Sequence, residues 1–148
     1  MIKTAQILNN METYVTRRER FSAAHRLFRQ EWDDEKNYRI FGPCSNPQWH
    51  GHNYELFVTV KGEIDQQTGF VINIKQLSKV IKERVIDKLD HKNMNTEVDF
   101  MKGRLASTEN LAVAIWDELE QPIRSLGIEL YKIKITETEN NYVEYFGK

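Results

Sequence analysis

The chain has 148 residues, with 21 Lys and Arg against 22 Asp and Glu, for a formal net charge of −1. That length suits one domain, and a charge this close to zero excludes nucleic-acid binding through bulk basic charge. Hydrophobic residues make up 40% of the chain, with only 7 Gly and 3 Pro, which excludes disordered, collagen-like and coiled-coil chains. No run of about 18 apolar residues occurs, so no membrane-spanning helix is expected. Met1 to Met11 is polar and lacks the charged-then-apolar pattern of a signal peptide. The single cysteine, Cys44, excludes an internal disulfide framework and fits a reducing cytoplasm. A domain of this size buries only about 68–70% of its unfolded surface, so a subunit interface is a natural supplement.

Residues 1–12 read as a flexible N-terminal arm, and 13–148 as one domain. Tyr14 to His25 is rich in β-branched and aromatic residues and reads as a strand, with Phe21, Ala23 and His25 on one face by parity. Residues 28–43 are polar and aromatic and read as a loop with a short helix. His50 to Ile64 reads as a second strand, where Leu56, Val58 and Val60 alternate with polar neighbours. Gly62 to Gly69 contains a turn before the short apolar run Phe70-Val71-Ile72. Ile74, Leu77, Ile81, Val85 and Leu89 then recur at three- and four-residue steps, which predicts an amphipathic helix over 74–88. After a polar loop over 90–106, Ser107 or Thr108 caps a second helix that ends near Pro122. Tyr131, Ile133 and Ile135 alternate in a third strand, and after a turn at Glu139-Asn140-Asn141 a fourth returns over 142–146. The predicted fold is α+β: a four-stranded antiparallel sheet with two helices on one face. The other face and both sheet edges need cover, which predicts oligomerisation.

The four histidines cluster near other reactive groups. His50 and His52 stand two apart at the start of a strand, so both imidazoles project to the same side. His25, at the end of another strand, can supply a third nitrogen. Three neutral imidazoles with one open position form the ligand set of a catalytic zinc site, whose ion polarises a bound oxygen and acidifies neighbouring protons. The alternative is a pair of surface histidines at a strand start. Cys44 lies six residues before His50. Beside a divalent cation its thiolate can act as base or nucleophile; a lone thiol equally fits a small buried core residue. Asp90-His91 can be an orienting carboxylate with a proton carrier, or a plain helix end. Glu137 shares parity with Ile133 and Ile135. At the end of an apolar face it needs a donor partner, which two adjacent N–H groups of a pterin or guanine edge would supply in bidentate fashion, as would a Lys or Arg. Glu109 near a helix N-terminus is explained equally by the helix dipole.

Five segments together resemble one family: Phe21 to Leu27, Cys44 to Tyr54, Leu89 to Asn93, Ser107 to Ala112 and Glu137 to Asn141. The resemblance is to 6-pyruvoyl-tetrahydropterin synthase and its wider family, which includes the 6-carboxytetrahydropterin synthases of queuosine biosynthesis. It runs from about Arg17 to Gly147 with the motifs in order. It implies the tunnelling fold, in which trimers form a twelve-stranded barrel and two trimers stack as a homohexamer. It implies that His25, His50 and His52 bind zinc, and that Cys44 is the base that removes a substrate side-chain proton. Asp90 and His91 would form the partner relay, supplied by a neighbouring subunit. Glu137 would anchor the pterin's amino-pyrimidine edge, with Ser107, Thr108 and Glu109 lining the same pocket. The implied substrate is 7,8-dihydroneopterin triphosphate, with Mg²⁺ accompanying the triphosphate, and the implied setting is cytoplasmic, with no nucleic acid or membrane partner.

Five residues separate Cys44 from His50. That spacing, the ending Glu137 to Asn141 and the segment 28–43 resemble the pyruvoyl-forming synthases; Glu139 replaces an Asp common there. Many 6-carboxytetrahydropterin synthases, the alternative, carry a shorter arm between Cys and His-Gly-His. Cys44 counts against a related aldolase type, and the full set of Cys44, Asp90 and His91 counts against a non-catalytic pterin- or metal-binding oligomer.

Overall fold

In a computed structural model, which describes residues 11–148, the alternating segment Glu12–His25 forms strand β1. Residues 1–10 of the arm read over 1–12 lie outside the described residues, and Glu12 already belongs to the strand. The segment 28–43 does contain a short helix, α1, Asp34–Phe41. The Asp33 side chain caps it by accepting the Lys36 N–H at 2.7 Å. Buried Asn37 ties it down, accepting from the Arg29 N–H at 2.8 Å and donating to the carbonyls of Arg29 and Trp32. A 3₁₀ turn, Gly42–Ser45, follows and carries Cys44 toward β2, His50–Glu63.

The predicted helix over 74–88 is helical throughout, but not uniformly. Helix α2, Ile74–Ile81, gives way to a wide π turn, Lys82–Ile86, and then to α3, Asp87–Leu89. The spacing explains the wide turn. Leu77, Ile81, Val85 and Leu89 stand at strict four-residue steps, over which a regular α-helix drifts by about 120°. One extra residue per turn takes up most of that drift, and all four side chains are fully buried.

Beyond α3, Lys92–Asn93 forms a two-residue strand, β3, parallel to β1 at Ala23 and Ala24. Helix α4 spans Thr108–Arg124, capped by the Ser107 hydroxyl, which accepts the Asn110 N–H at 3.2 Å. It runs two residues past Pro122, where it was expected to end. A proline this late removes a single ladder bond, and Ile123 is fully buried. Strands β4, Glu129–Thr138, and β5, Asn141–Tyr145, complete the sheet. The strand order is β3-β1-β2-β4-β5, and the four long strands pair antiparallel as expected. The small parallel strand β3 is an addition that two residues of sequence could not announce.

The helices cover one sheet face. Leu77, Ile81, Leu111, Ile115 and Leu119 meet Leu56, Val58, Ile133 and Ile135 in one core. The opposite face is charged: Arg18 and Arg20 reach Glu55, and Lys132 donates to Glu144 at 2.9 Å. One parity expectation fails. The β2–β4 register shifts between Thr59 and Val60, so Leu130, rather than Tyr131, joins Ile133 and Ile135 in the core.

Gly51 lies opposite Ala24 in the β1–β2 ladder. A Cβ there would stand 2.9 Å from the Ala23 carbonyl oxygen, closer than a real contact allows, and the obstacle is backbone. Gly51→Ala should therefore lower unfolding stability by about 1–3 kcal/mol. Chemical denaturation checks this, and an unchanged midpoint would refute the close approach.

Candidate active site

The three imidazoles meet through register and parity. The β1–β2 ladder pairs His25 with His50 and Ala23 with His52. His25 therefore ends one strand beside the start of the other, with His52 one step further along the same face. The His25 ring centroid lies 4.5 Å from that of His50 and 5.2 Å from that of His52, and the latter two are 5.0 Å apart. One ligand nitrogen from each residue falls within 4.8 Å of the others.

The hydrogen bonding of these rings suits a metal. His25 Nδ1 stands 2.7 Å from the Ala106 carbonyl oxygen. A carbonyl only accepts, so Nδ1 carries the proton and Nε2 keeps a free lone pair. Both His25 Nε2 and His50 Nδ1 are buried without a hydrogen-bond partner. Burial pushes the pKa of both rings down, and for His50 the neighbouring His25 and His52 add to the effect, so the neutral, ligating form is favoured. Buried lone pairs with nothing to accept are costly, and a cation would satisfy them. The set could hold a metal ion and fits zinc.

Glu137 approaches the same nitrogens. Its Oε1 lies 3.6 Å from His25 Nε2 and 3.5 Å from His52 Nε2, too long for a good hydrogen bond. The β4–β5 register shifts between Thr136 and Thr138. Glu137 is the extra residue of that bulge, a device that re-aims a side chain.

A cavity of about 480 Å³ opens here, within the range of small-molecule sites. His25, Cys44, Ser107, Thr108, Glu109 and Glu137 line it together. Leu27 N–H donates to the Cys44 carbonyl at 2.8 Å, and Arg26 Nε to the Ser45 carbonyl at 2.7 Å. These bonds fix the turn that presents the thiol. A larger concavity of about 690 Å³ lies near Trp116 and the tail, but it holds no imidazole, no thiol and none of the unpartnered buried atoms.

Asp90 and His91 stand apart from this cavity. The Asp90 carboxylate accepts the Ser22 N–H at 2.9 Å and lies 3.1 Å from His91 Nδ1. The Ser22 N–H first, and then His91, hold the Asp90 carboxyl below its ordinary value. The His91 side chain is 83% exposed, and its backbone is left-handed at φ 60°. It borders a shallow surface with Ser22, Ala24, Gly51 and Asn53, along the β1 edge where β3 pairs.

Three contributions were not foreseen. The Ala106 carbonyl orients His25, which no sequence pattern signals. Asn140 and Asn141, expected only as turn residues, line the cavity with Tyr142 and Val143. Tyr54 is buried beside the imidazoles, its ring centroid 5.5 Å from that of His52. Continuing the parity of His50 and His52 by one step would have found it. Burial pushes its hydroxyl pKa up, and the Glu137 and Cys44 charges add to this, so the phenol stays protonated and able to donate.

A cluster of three imidazoles that could hold a metal, beside a cavity lined by His25, a thiol and a carboxylate, is the site of an enzyme that acts on a small molecule. The comparisons with known proteins make this specific. The chain belongs to the 6-pyruvoyl tetrahydropterin synthase family, whose profile matches residues 14–148. The 6-pyruvoyl tetrahydrobiopterin synthase of Homo sapiens is 47% identical over 137 residues, 93% of each chain. The solved structure of Caenorhabditis elegans 6-pyruvoyl tetrahydropterin synthase superposes with a TM-score of 0.84 at 35% identity, covering 93% of this chain and 96% of that one. A 6-carboxy-5,6,7,8-tetrahydropterin synthase of Bacillus subtilis is more distant, 30% identical over 112 residues, 72% of this chain and 73% of its own.

Zinc added to metal-free protein should raise its melting temperature, because binding to the folded state alone stabilises it. His50→Ala should remove that shift and leave the chain well short of one zinc after gel filtration. Full occupancy by elemental analysis would rule out His50 as a ligand.

Proposed function

We propose that the chain is a lyase that converts 7,8-dihydroneopterin triphosphate to 6-pyruvoyl-tetrahydropterin with release of triphosphate. The observation that carries this reading is the cavity that joins His25, a member of the three-imidazole cluster, to Cys44 and Glu137. Membership of the family and 47% identity to a 6-pyruvoyl tetrahydrobiopterin synthase support the pyruvoyl product. The 30% identity to a carboxy-forming relative makes that product the weaker alternative.

His25, His50 and His52 hold zinc in this reading, and zinc supplies Lewis-acid polarisation of the substrate's side-chain oxygens. Glu137 accepts two N–H groups of the amino-pyrimidine edge, which fixes the pterin ring. Ser107, Thr108 and Glu109 complete that end of the pocket. With the ring held, the substrate side chain reaches Cys44, whose thiolate removes a side-chain proton. Asp90 orients His91, which returns a proton.

Within one chain that relay pair stands apart from Cys44, so it serves the cavity of a neighbouring subunit. The chain's own surface supports such an assembly. Among the described residues, nothing packs over its outer sheet face, whose side chains at Tyr14, Thr16, Arg18 and Arg20 are exposed. At one end of that face Tyr14, Tyr131 and Phe146 form an exposed aromatic cluster, with centroid separations of 4.6 and 5.8 Å. The assembly is a homohexamer of two barrel-forming trimers, with Mg²⁺ carried on the substrate triphosphate. Among the described residues no helix is long and apolar enough to cross a membrane. A lone thiol suits a reducing cytoplasm, which is the setting of this reading.

Zinc-loaded protein given 7,8-dihydroneopterin triphosphate and Mg²⁺ should release triphosphate without acetaldehyde. Acetaldehyde in equal amount would identify the carboxy-forming reaction instead, and neither product would overturn the enzyme reading for this substrate. Cys44→Ala should abolish turnover while zinc content and pterin binding persist; undiminished turnover would remove Cys44 from the base role.

Shared sites predict complementation. Cys44→Ala chains and His91→Ala chains should each be inactive alone. Co-expressed as mixed oligomers they should recover activity, because some cavities then pair an intact Cys44 with an intact neighbouring His91. Mixed oligomers without recovery would place the relay within one chain.

A further inference from the structure

Four buried side-chain polar atoms lack a partner among the described residues: His25 Nε2, His50 Nδ1, Tyr54 Oη and Thr108 Oγ1. All four surround the one site. The two nitrogens belong to the metal ligands, and Thr108 borders the cavity. The Tyr54 hydroxyl is left without a role.

Tyr54 is 1% exposed. Its ring stacks on Phe21 at 4.9 Å with an interplanar angle of 11°, and its centroid lies 6.2 Å from that of His25. A phenylalanine would keep all of this packing without burying an unpaired hydroxyl. In this state the hydroxyl therefore opposes stability.

Strand geometry indicates an acceptor. The β2–β4 ladder ends at Glu55 opposite Thr136, and Tyr54 and Glu137 lie one residue beyond that last pair on the two strands. Both approach the same imidazole: the Tyr54 ring centroid lies 5.5 Å from that of His52, and the Glu137 Oε1 lies 3.5 Å from His52 Nε2. The Glu137 carboxylate meanwhile leans toward His25 Nε2 and His52 Nε2, at 3.6 and 3.5 Å. Those nitrogens are the ones a cation would take, and the carboxylate then needs another donor.

We propose that Tyr54 is a positioning residue: when the imidazoles hold metal, its hydroxyl donates a hydrogen bond to the Glu137 carboxylate and fixes that carboxylate to receive the pterin edge. This rests on the reading of Glu137 as the pterin anchor. Tyr54 touches neither the metal nor the reacting atoms; it acts through Glu137.

The test is a double-mutant cycle on the zinc-loaded full chain with Tyr54→Phe, Glu137→Gln and both together. Neopterin binding is followed by its fluorescence, and KM and kcat are measured with 7,8-dihydroneopterin triphosphate. Tyr54→Phe should weaken neopterin binding and raise KM about tenfold, as expected for one lost charge-assisted hydrogen bond, with a smaller fall in kcat. Zinc content should hold, and the melting temperature of the metal-free chain should hold or rise. In the Glu137→Gln background the second substitution should add little. Wild-type neopterin affinity in Tyr54→Phe, or two losses that multiply in full, would overturn the proposal. A Glu137→Gln chain that binds neopterin like wild type would instead sink the anchor reading, and this inference with it.

Discussion

Pairing between β1 and β2 is the constraint on which the site depends. It joins two 14-residue strands along their whole length and sets His25 against His50. Side chains alternate with a period of two, so a slip of one residue would send His50 and His52 to the charged face while His25 stayed in the core. The same ladder needs Gly51 between the two histidines, because a side chain's first carbon there would meet the Ala23 carbonyl. Pairing along the whole ladder thus sets where the three imidazoles stand.

The departures from regular geometry carry the rest. A bulge at Glu137 turns a carboxylate toward the imidazoles. A wide turn over Lys82–Ile86 lets Val85 and Leu89 stay in the core, and so sets where the chain leaves α3 for Asp90. Positive φ falls on only two described non-glycine residues, Trp49 and His91. One immediately precedes His50, and the other is the proposed proton carrier. Strained backbone persists only where surroundings enforce it, here through the bonds from the Trp49 N–H to the Asn46 carbonyl and from the His91 N–H to the Ser22 carbonyl.

The fold and the clustering of the three histidines were legible because they rest on local periods. Alternation located the four long strands, four-residue steps located the helices, and His-x-His at a strand start needed only parity to bring its rings together. What stayed hidden depends on the partner strand or on tertiary fit. Tyr131 looked like a core residue until the register shift in β4 turned it out. Pro122 looked like a stop until a buried Ile123 held the last turn. Asn37 looked like loop, and it organises the segment 28–43 through three bonds to backbone. The separation of Asp90 and His91 from Cys44 is a matter of tertiary geometry, so the motifs alone could suggest the three residues but not their arrangement.

A small domain is only marginally stable, and every unpaired buried polar atom draws on that margin. That all four such atoms among the described residues crowd around one site is therefore informative. Chance mispacking would scatter them through a core that is otherwise almost wholly apolar. In the proposed reading their partners differ in kind: a cation for the two nitrogens, a reoriented carboxylate for the phenol, a bound pterin for the threonine. Each partner that arrives relieves a deficit the fold already carries, so ligand binding and stability are linked by mass action. In the proposed reading, a cation on the imidazole nitrogens would leave the Glu137 carboxylate free to face the pterin. The unsatisfied atoms would then give an order of assembly a physical basis, with metal first, then Glu137, then the pterin.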